Sequence, residues 1–199
     1  MYDVLDTYER PYDPLLPVVC LDEKLVELRK NKRAPIQVRG GRLTDFEYER
    51  MGTANLFVAT EPKGGNHFVK VTERRTSIDF AECLKWLADT YRDAIKIHLI
   101  MDNLNTHCER SLIKAYGAQE GSRLWGRFHV HYTPKHASWL NQAEIAIGVT
   151  SCCVLKKRRF PTIVDLRRPV EKFWKKRTQE SWKTNWNYKT VNAKAWLNK

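Results

Sequence analysis

Trp139-Leu140-Asn141-Gln142-Ala143-Glu144-Ile145 is the stretch that decides how the rest of this chain is read. Ser138 stands where a helix cap belongs, and Leu140, Ala143, Ile147 and Val154 then recur at helical spacing. Glu144 falls four residues after Leu140 and three before Ile147, so the spacing puts it on or beside the apolar stripe. A carboxylate there loses hydration and needs an arginine, a lysine or a metal ion to compensate it.

Two more carboxylates stand in comparable places. Val18-Val19-Cys20-Leu21 reads as a buried strand, with Asp22 at its carboxyl end. Ile95-Lys96-Ile97-His98-Leu99-Ile100-Met101 reads the same way and ends in Asp102. Taken singly, a strand-ending aspartate is a turn or cap residue, and a lone Glu144 pairs with a basic side chain. Together on strand, strand and helix, the three would repel unless divalent cations bind between them. Oxygen-only acidic sites suit Mg²⁺ or Mn²⁺, and two such ions serve phosphodiester chemistry.

The remaining elements follow in order. Residues 1–17 are tyrosine-rich and punctuated by Pro11, Pro14 and Pro17, as in a linker or extended lead-in. Residues 24–54 are charged, with a turn at Gly40-Gly41, and are expected to be irregular. Leu56-Phe57-Val58-Ala59-Thr60 and His67-Phe68-Val69-Lys70-Val71 flank the turn residues Pro62–Asn66 and predict an antiparallel hairpin. Ser77 is expected to cap a helix with Ile78, Ala81, Leu84 and Leu87 inward. A helix near 108–117 and a strand over Arg127–Tyr132 come next. Thr162 and Asp165 form a capping box for a helix that Pro169 should kink or split. A short helix is expected near 190–198.

Composition narrows the function. Lysine and arginine number 35 against 23 acidic residues, a net charge of +12. Residues 156–199 hold 14 basic and 3 acidic residues, so this segment alone carries +11. Four of the seven tryptophans (Trp174, Trp182, Trp186 and Trp196) lie there too. Clustered charge interleaved with aromatics points to a nucleic-acid partner, contacted through Lys156, Lys157, Arg158 and Arg159, with Lys135 beside the site. The tryptophans are expected mainly to pack beneath. No apolar run is long enough for a membrane span, and Met1–Asp6 does not read as a signal peptide. Five scattered cysteines without a CxxC pair suit reduced thiols in a cytoplasmic protein. His129 and His131 share a strand face, and His107 and His136 lie in loops near the aspartates. Such histidines can ligate metal, but more often pack or position a phosphate or water. Asn103 and Asn141 can orient the carboxylates.

Five ordered motifs carry a resemblance. Cys20-Leu21-Asp22-Glu23-Lys24, Gly52-Thr53-Ala54-Asn55-Leu56-Phe57, Lys70–Thr76, Met101-Asp102-Asn103-Leu104-Asn105-Thr106-His107 and His131–Glu144 resemble the catalytic domain of bacterial insertion-sequence transposases of the mariner superfamily. The resemblance implies an α/β, ribonuclease-H-like fold: a mixed five-stranded sheet with an antiparallel hairpin portion, flanked by helices. The catalytic domain would span 18–155, with a basic helical extension over 156–199 packed on it. The implied triad is Asp22, Asp102 and Glu144, working with Mg²⁺ (or Mn²⁺), two ions in all, on DNA. Implied steps are hydrolysis at transposon ends and strand transfer into target DNA, by a homodimer on DNA in a bacterial cytoplasm, at the nucleoid, with no small-molecule cofactor. Members of this group carry helix-turn-helix domains ahead of the first aspartate, so end recognition is expected from another chain or segment. Two other readings stay open: a non-catalytic DNA-binding remnant that modulates a full-length transposase, and a ribonuclease-H-type or junction-cleaving nuclease.

Overall fold

A computed structural model of the chain describes residues 1–197. Two long strands, β1 (Val18–Asn31) and β4 (Tyr48–Glu61), pair antiparallel from Cys20↔Thr60 to Asn31↔Tyr48. Strand β5 (Asn66–Thr72) returns beside β4 across the predicted turn, where Gly65 takes the left-handed φ of 77° that favours glycine. On the other side, β6 (Ile97–Met101) and β7 (Phe128–Tyr132) add in parallel. The order β5-β4-β1-β6-β7 is the expected mixed five-stranded sheet with its hairpin portion.

Parallel neighbours need crossovers. Helix α2 (Ser77–Thr90) links β5 to β6, and α3 (Glu109–Tyr116) with α4 (Ala118–Trp125) links β6 to β7. Strand alternation splits the core between two faces. Val19, Leu21, Phe57, Leu99 and Met101 meet Phe80, Leu84 and Leu87 of α2 on one face. On the other, Val26, Leu28, Leu56 and Val58 meet Ile147 of α5 (Ala143–Thr150) and Leu166, Val170 and Trp174 of α6 (Ile163–Gln179). The segment after residue 155 therefore shares a core with the sheet. Trp174 is fully buried, and its indole N–H donates to Thr150 Oγ1 at 2.9 Å.

The structure departs from expectation at several points. Residues 2–9 form a helix, α1 (Tyr2–Glu9), not an extended linker. Val4, Leu5 and Tyr8 lie one face up and are buried against Cys20, Ile100, Leu140 and Ala143. Residues 24–54 are not irregular: β1 runs on to Asn31, and a small ribbon, β2 (Ile36–Val38) with β3 (Gly41–Leu43), precedes β4. The outer ends of β1 and β4 below it pair by charge, as in Lys30–Glu49 (4.0 Å), with Lys32–Glu47 (3.7 Å) just beyond, while the ribbon's own Ile36, Val38 and Leu43 stay exposed. Thr76, not Ser77, caps α2, in a capping box with Asp79. The box of Thr162 with Asp165 is present as expected. Helix α6 nevertheless continues through Pro169 unbroken. Proline removes one helical hydrogen bond, but Leu166, Val170 and Trp174 anchor the helix on both sides of it. Helix α7 spans Thr190–Leu197; position 198 of the predicted helix lies outside the described residues.

Trp174→Ala is expected to cost about 3–5 kcal/mol, because it opens a cavity and strands Thr150. Phe46→Ala, at a ring 85% exposed, should stay within about 0.5 kcal/mol. Urea unfolding of both variants checks the contrast.

Candidate active site

Parallel register fixes where the first two carboxylates meet. Cys20 pairs with Ile100, so two residues further on Asp22 stands level with Asp102 on neighbouring strands, which run about 4.8 Å apart. Asp22 does not end its strand as expected: β1 continues to Asn31, and it is β6 that stops at Met101. The carboxylates thus sit where β1 loses its parallel neighbour.

Adjacent strand residues face opposite ways, and that separates Asp22 from Glu23. Glu23 continues the buried face of Val19 and Leu21, and its side chain is only 6% exposed. Beneath it His107, fully buried, bridges two acids: Nε2 lies 2.9 Å from Glu23 Oε1, and Nδ1 lies 2.6 Å from Asp102 Oδ1. Phe80 stacks on the ring at 4.6 Å. Burial alone would lower the His107 pKa, but the hydrogen bonds to Asp102 and Glu23 outweigh it and push it up to about 10. His107 is therefore an imidazolium at neutral pH. Its Nδ1 also faces the Asp102 backbone oxygen at 3.0 Å.

Asp22 has a carboxylate's discomfort without a matching cation. Burial first, then the charges of Glu144, Asp102 and Glu23, push its pKa up to about 7, against the Glu23 N–H that it accepts at 2.7 Å. Asn141 holds it from the other side: Nδ2 donates to Leu21 O (2.9 Å) and Asp22 Oδ2 (3.3 Å), and Oδ1 accepts from Ala143 N at 3.2 Å.

The approach to Glu144 differs from the prediction. Ser138 does not cap the helix; Ser138–Leu140 is a single 3₁₀ turn, Asn141 is extended, and α5 starts at Ala143. Despite the break, Leu140, Ala143, Ile147 and Val154 are buried as the spacing predicts, and Glu144 lies beside this stripe but exposed, not stripped of hydration. Its charge still reaches Asp22. Tyr8 of α1 fixes this break, donating to Leu140 O (2.8 Å) and accepting from Gln142 N (3.3 Å). After Thr150 the chain widens into a π-helical turn, Ser151–Leu155.

Other predicted residues are more scattered. Asn103 is exposed on the loop after Asp102, and no hydrogen bond joins it to a carboxylate among the described residues. His136 and Lys135 are exposed beside the 3₁₀ turn, His136 with a φ of 63°. Lys156, Lys157 and Arg158 project into solvent. Arg159 does not: its guanidinium donates to Asn31 Oδ1, Glu47 O and Asp45 O at 2.6–2.9 Å, which clamps the base of the ribbon. Arg159 is spent on backbone carbonyls and is not free for phosphate. Glu23 and Tyr8 were not foreseen. The alternation Val19, Leu21, Glu23 was the available signal for the first; Tyr8 had only its spacing from Val4 and Leu5.

Comparison with known proteins follows from this geometry. A family model described as DDE superfamily endonuclease matches residues 17–167. The chain belongs to that family. Among solved structures it is similar to the Mos1 strand transfer complex, at 16% identity and a TM-score of 0.55. It is also similar to the Mos1 transposase paired-end complex with left transposon end (16%, 0.51) and to the mariner Mos1 paired-end complex with Mg (15%, 0.51). Each match covers 92% of this chain and 60% of the other. The chain thus spans about 60% of the length of these relatives, and the likeness carries the ribonuclease-H-like fold. No curated protein matches. Among the described residues no helix is long and apolar enough to cross a membrane.

Two pH effects follow. The His107 pKa is raised in the fold, so its contribution is full below about 6.5 and is lost as pH rises towards 10. His107→Gln leaves Glu23 buried and uncompensated, and should cost about 3–5 kcal/mol at pH 7, part of it recovered by adding Glu23→Gln. Asp22 acts in the same direction over a lower range: its raised pKa makes metal-free stability fall as pH climbs from about 4 to about 7. Asp22→Asn should flatten that slope in urea titrations run with a chelator at pH 5 and pH 8.

Proposed function

We propose that this chain is the catalytic domain of a DDE transposase, which cuts DNA at transposon ends and joins it to target DNA using divalent metal ions. What supports the reading is that Asp22 stands level with Asp102 where β6 ends, and that the charges of Asp102 and Glu144 act on Asp22, in a chain of the DDE endonuclease family. The donor set fits a hard cation: three carboxylates, one of them, Asp22, with its pKa pushed up for want of a counter-charge. Asp22, Asp102 and Glu144 would hold the metal, Mg²⁺ with Mn²⁺ as a substitute, and two ions suit the reaction. Bound there, the metal supplies Lewis-acid stabilisation of the attacking and leaving oxygens of a phosphodiester.

The protein's own groups do the positioning. Asn141 fixes Asp22 Oδ2, and His107 turns Asp102 and withdraws part of its charge. Fixing both carboxylates before substrate arrives spares reorganisation during the reaction. The DNA backbone is met by Lys135, Lys156, Lys157 and Arg158, all exposed. A Mos1 relative was solved as a paired-end complex with Mg; by analogy this chain acts as a homodimer on paired ends, in the DNA-containing cytoplasm of a bacterium. Its free cysteines agree with a reducing compartment.

Calorimetry with Mn²⁺ and nicking of supercoiled plasmid test the reading together. Wild type should bind and nick; Asp22→Ala, Asp102→Ala and Glu144→Ala should each lose nicking. Undiminished nicking in all three would overturn the enzyme. Salt-sensitive DNA binding with no cleavage in either metal would favour the non-catalytic remnant. Reversing Lys156, Lys157 and Arg158 to glutamate should weaken DNA binding and flatten its salt slope by roughly 2–3. Arg159→Ala should instead lower stability, as it frees the ribbon.

A further inference from the structure

Away from the carboxylates, the sheet carries a cluster that this chemistry does not use. His98 on β6 faces His129 and His131 on β7, with His98 and His129 in register. Their candidate ligand nitrogens all lie within 4.8 Å of one another. Two of the three residues are buried and His129 is open to solvent, so the cluster has an entry path. It lies on the α1 side of the sheet, with His98 about 13 Å along β6 from Asp102.

The hydrogen bonds assign the ring protons. Arg10 Nη1 donates to His98 Nε2 at 3.0 Å. His98 Nδ1 and His131 Nε2 are 2.9 Å apart and share one proton. His131 Nδ1 lies 2.7 Å from Asp3 Oδ2, so it is the donor there and Nε2 keeps its lone pair. Asp3 thus orients His131 as a carboxylate orients a metal-bound histidine. Burial, then the Arg10 charge, holds His98 down at about 4, and burial also lowers His131. Both are neutral at pH 7, the form that ligates metal.

We propose that His98, His129 and His131 form a transition-metal site, selective for Zn²⁺ over Mg²⁺, that joins β6 to β7, with Asp3 of α1 orienting one ligand. Zinc takes the place of the proton between His98 Nδ1 and His131 Nε2, and that proton passes by way of solvent to His98 Nε2, so the imidazole stays neutral. Ligand nitrogens about 2.0–2.1 Å from zinc sit about 3.4 Å apart, so the His98 and His131 nitrogens, 2.9 Å apart, open by about 0.5 Å, while spacings of up to 4.8 Å in the cluster close by as much as about 1.4 Å. Three imidazoles plus a solvent molecule give the tetrahedral shell that suits zinc and that Mg²⁺ avoids. Arg10 opposes the ion: with zinc on Nδ1, His98 Nε2 must carry the proton and can no longer accept from the guanidinium. Arg10 is exposed and free to swing aside. The site is thus gated by its own arginine.

Untagged protein is titrated with Zn²⁺ against a chromophoric chelator, with millimolar Mg²⁺ present to occupy the carboxylates. Co²⁺ absorption reports tetrahedral nitrogen ligation. One ion per chain is expected. His129→Ala, at an exposed position, should weaken binding at least tenfold and abolish the Co²⁺ bands. Asp3→Asn should weaken it by about 10–100-fold, and Arg10→Ala should tighten it by about fivefold. Asp102→Asn should leave zinc affinity unchanged. Zinc binding that survives His129→Ala and His98→Gln, or that vanishes in Cys152→Ser/Cys153→Ser, overturns the site. So does the lack of one-to-one binding in wild type.

Discussion

Everything at the centre of this fold follows from placing acidic side chains where strands β1 and β6 part company. A carboxylate taken out of water must find positive charge or keep its proton. The chain uses both solutions on the two faces of a single strand. Glu23 and Asp102 find the His107 imidazolium, held between them and roofed by Phe80. Asp22, one residue away on the opposite face, has no such partner and holds its proton up to about pH 7. The result is an electrostatic asymmetry, with charge satisfied on one side of the sheet and deficient on the other.

The supporting structure holds that deficiency in place. Asn141 reaches Asp22 only because the backbone is extended at residue 141, between a 3₁₀ turn and α5. That break persists because Tyr8 binds both a carbonyl and an amide within it. Behind α5, Trp174 ties Thr150 to α6 through a buried indole bond. Elements at the two ends of the chain, α1 and α6, therefore position a helix that carries one exposed glutamate.

Much of this was legible beforehand. Apolar runs ending in Asp22 and Asp102, the hairpin around Pro62–Asn66 and the capping box at Thr162 depend on local pattern, and local pattern is what a sequence displays. The ribbon was hidden because its apolar residues Ile36, Val38 and Leu43 face solvent and no core, and the strand ends leading into it pair by charge. The stripe Leu140, Ala143, Ile147 and Val154 was legible, but spacing alone could not show that Glu144, at its edge, stays open to solvent. Arg159 looked like one more basic tail residue. Only the fold brings Asn31, Asp45 and Glu47 to its guanidinium. His107 was noticed for its place near the aspartates, while its second carboxylate, Glu23, lies 84 positions earlier.

The register of β1 has a consequence for the order in which the protein comes into being. Strands β4 and β5 meet across a short turn, but the pairing of Cys20 with Ile100 closes a loop of some eighty residues. Local pairs form before distant ones because long closures cost more chain entropy. A chain emerging from the ribosome can therefore complete its antiparallel half while Asp102 is still unmade. The acidic cluster exists only once residue 144 has emerged, and α5 gains its packing wall only when α6 follows. A product of interrupted synthesis that stops short of Glu144 carries the hairpin and much of the hydrophobic interior without the assembled carboxylates.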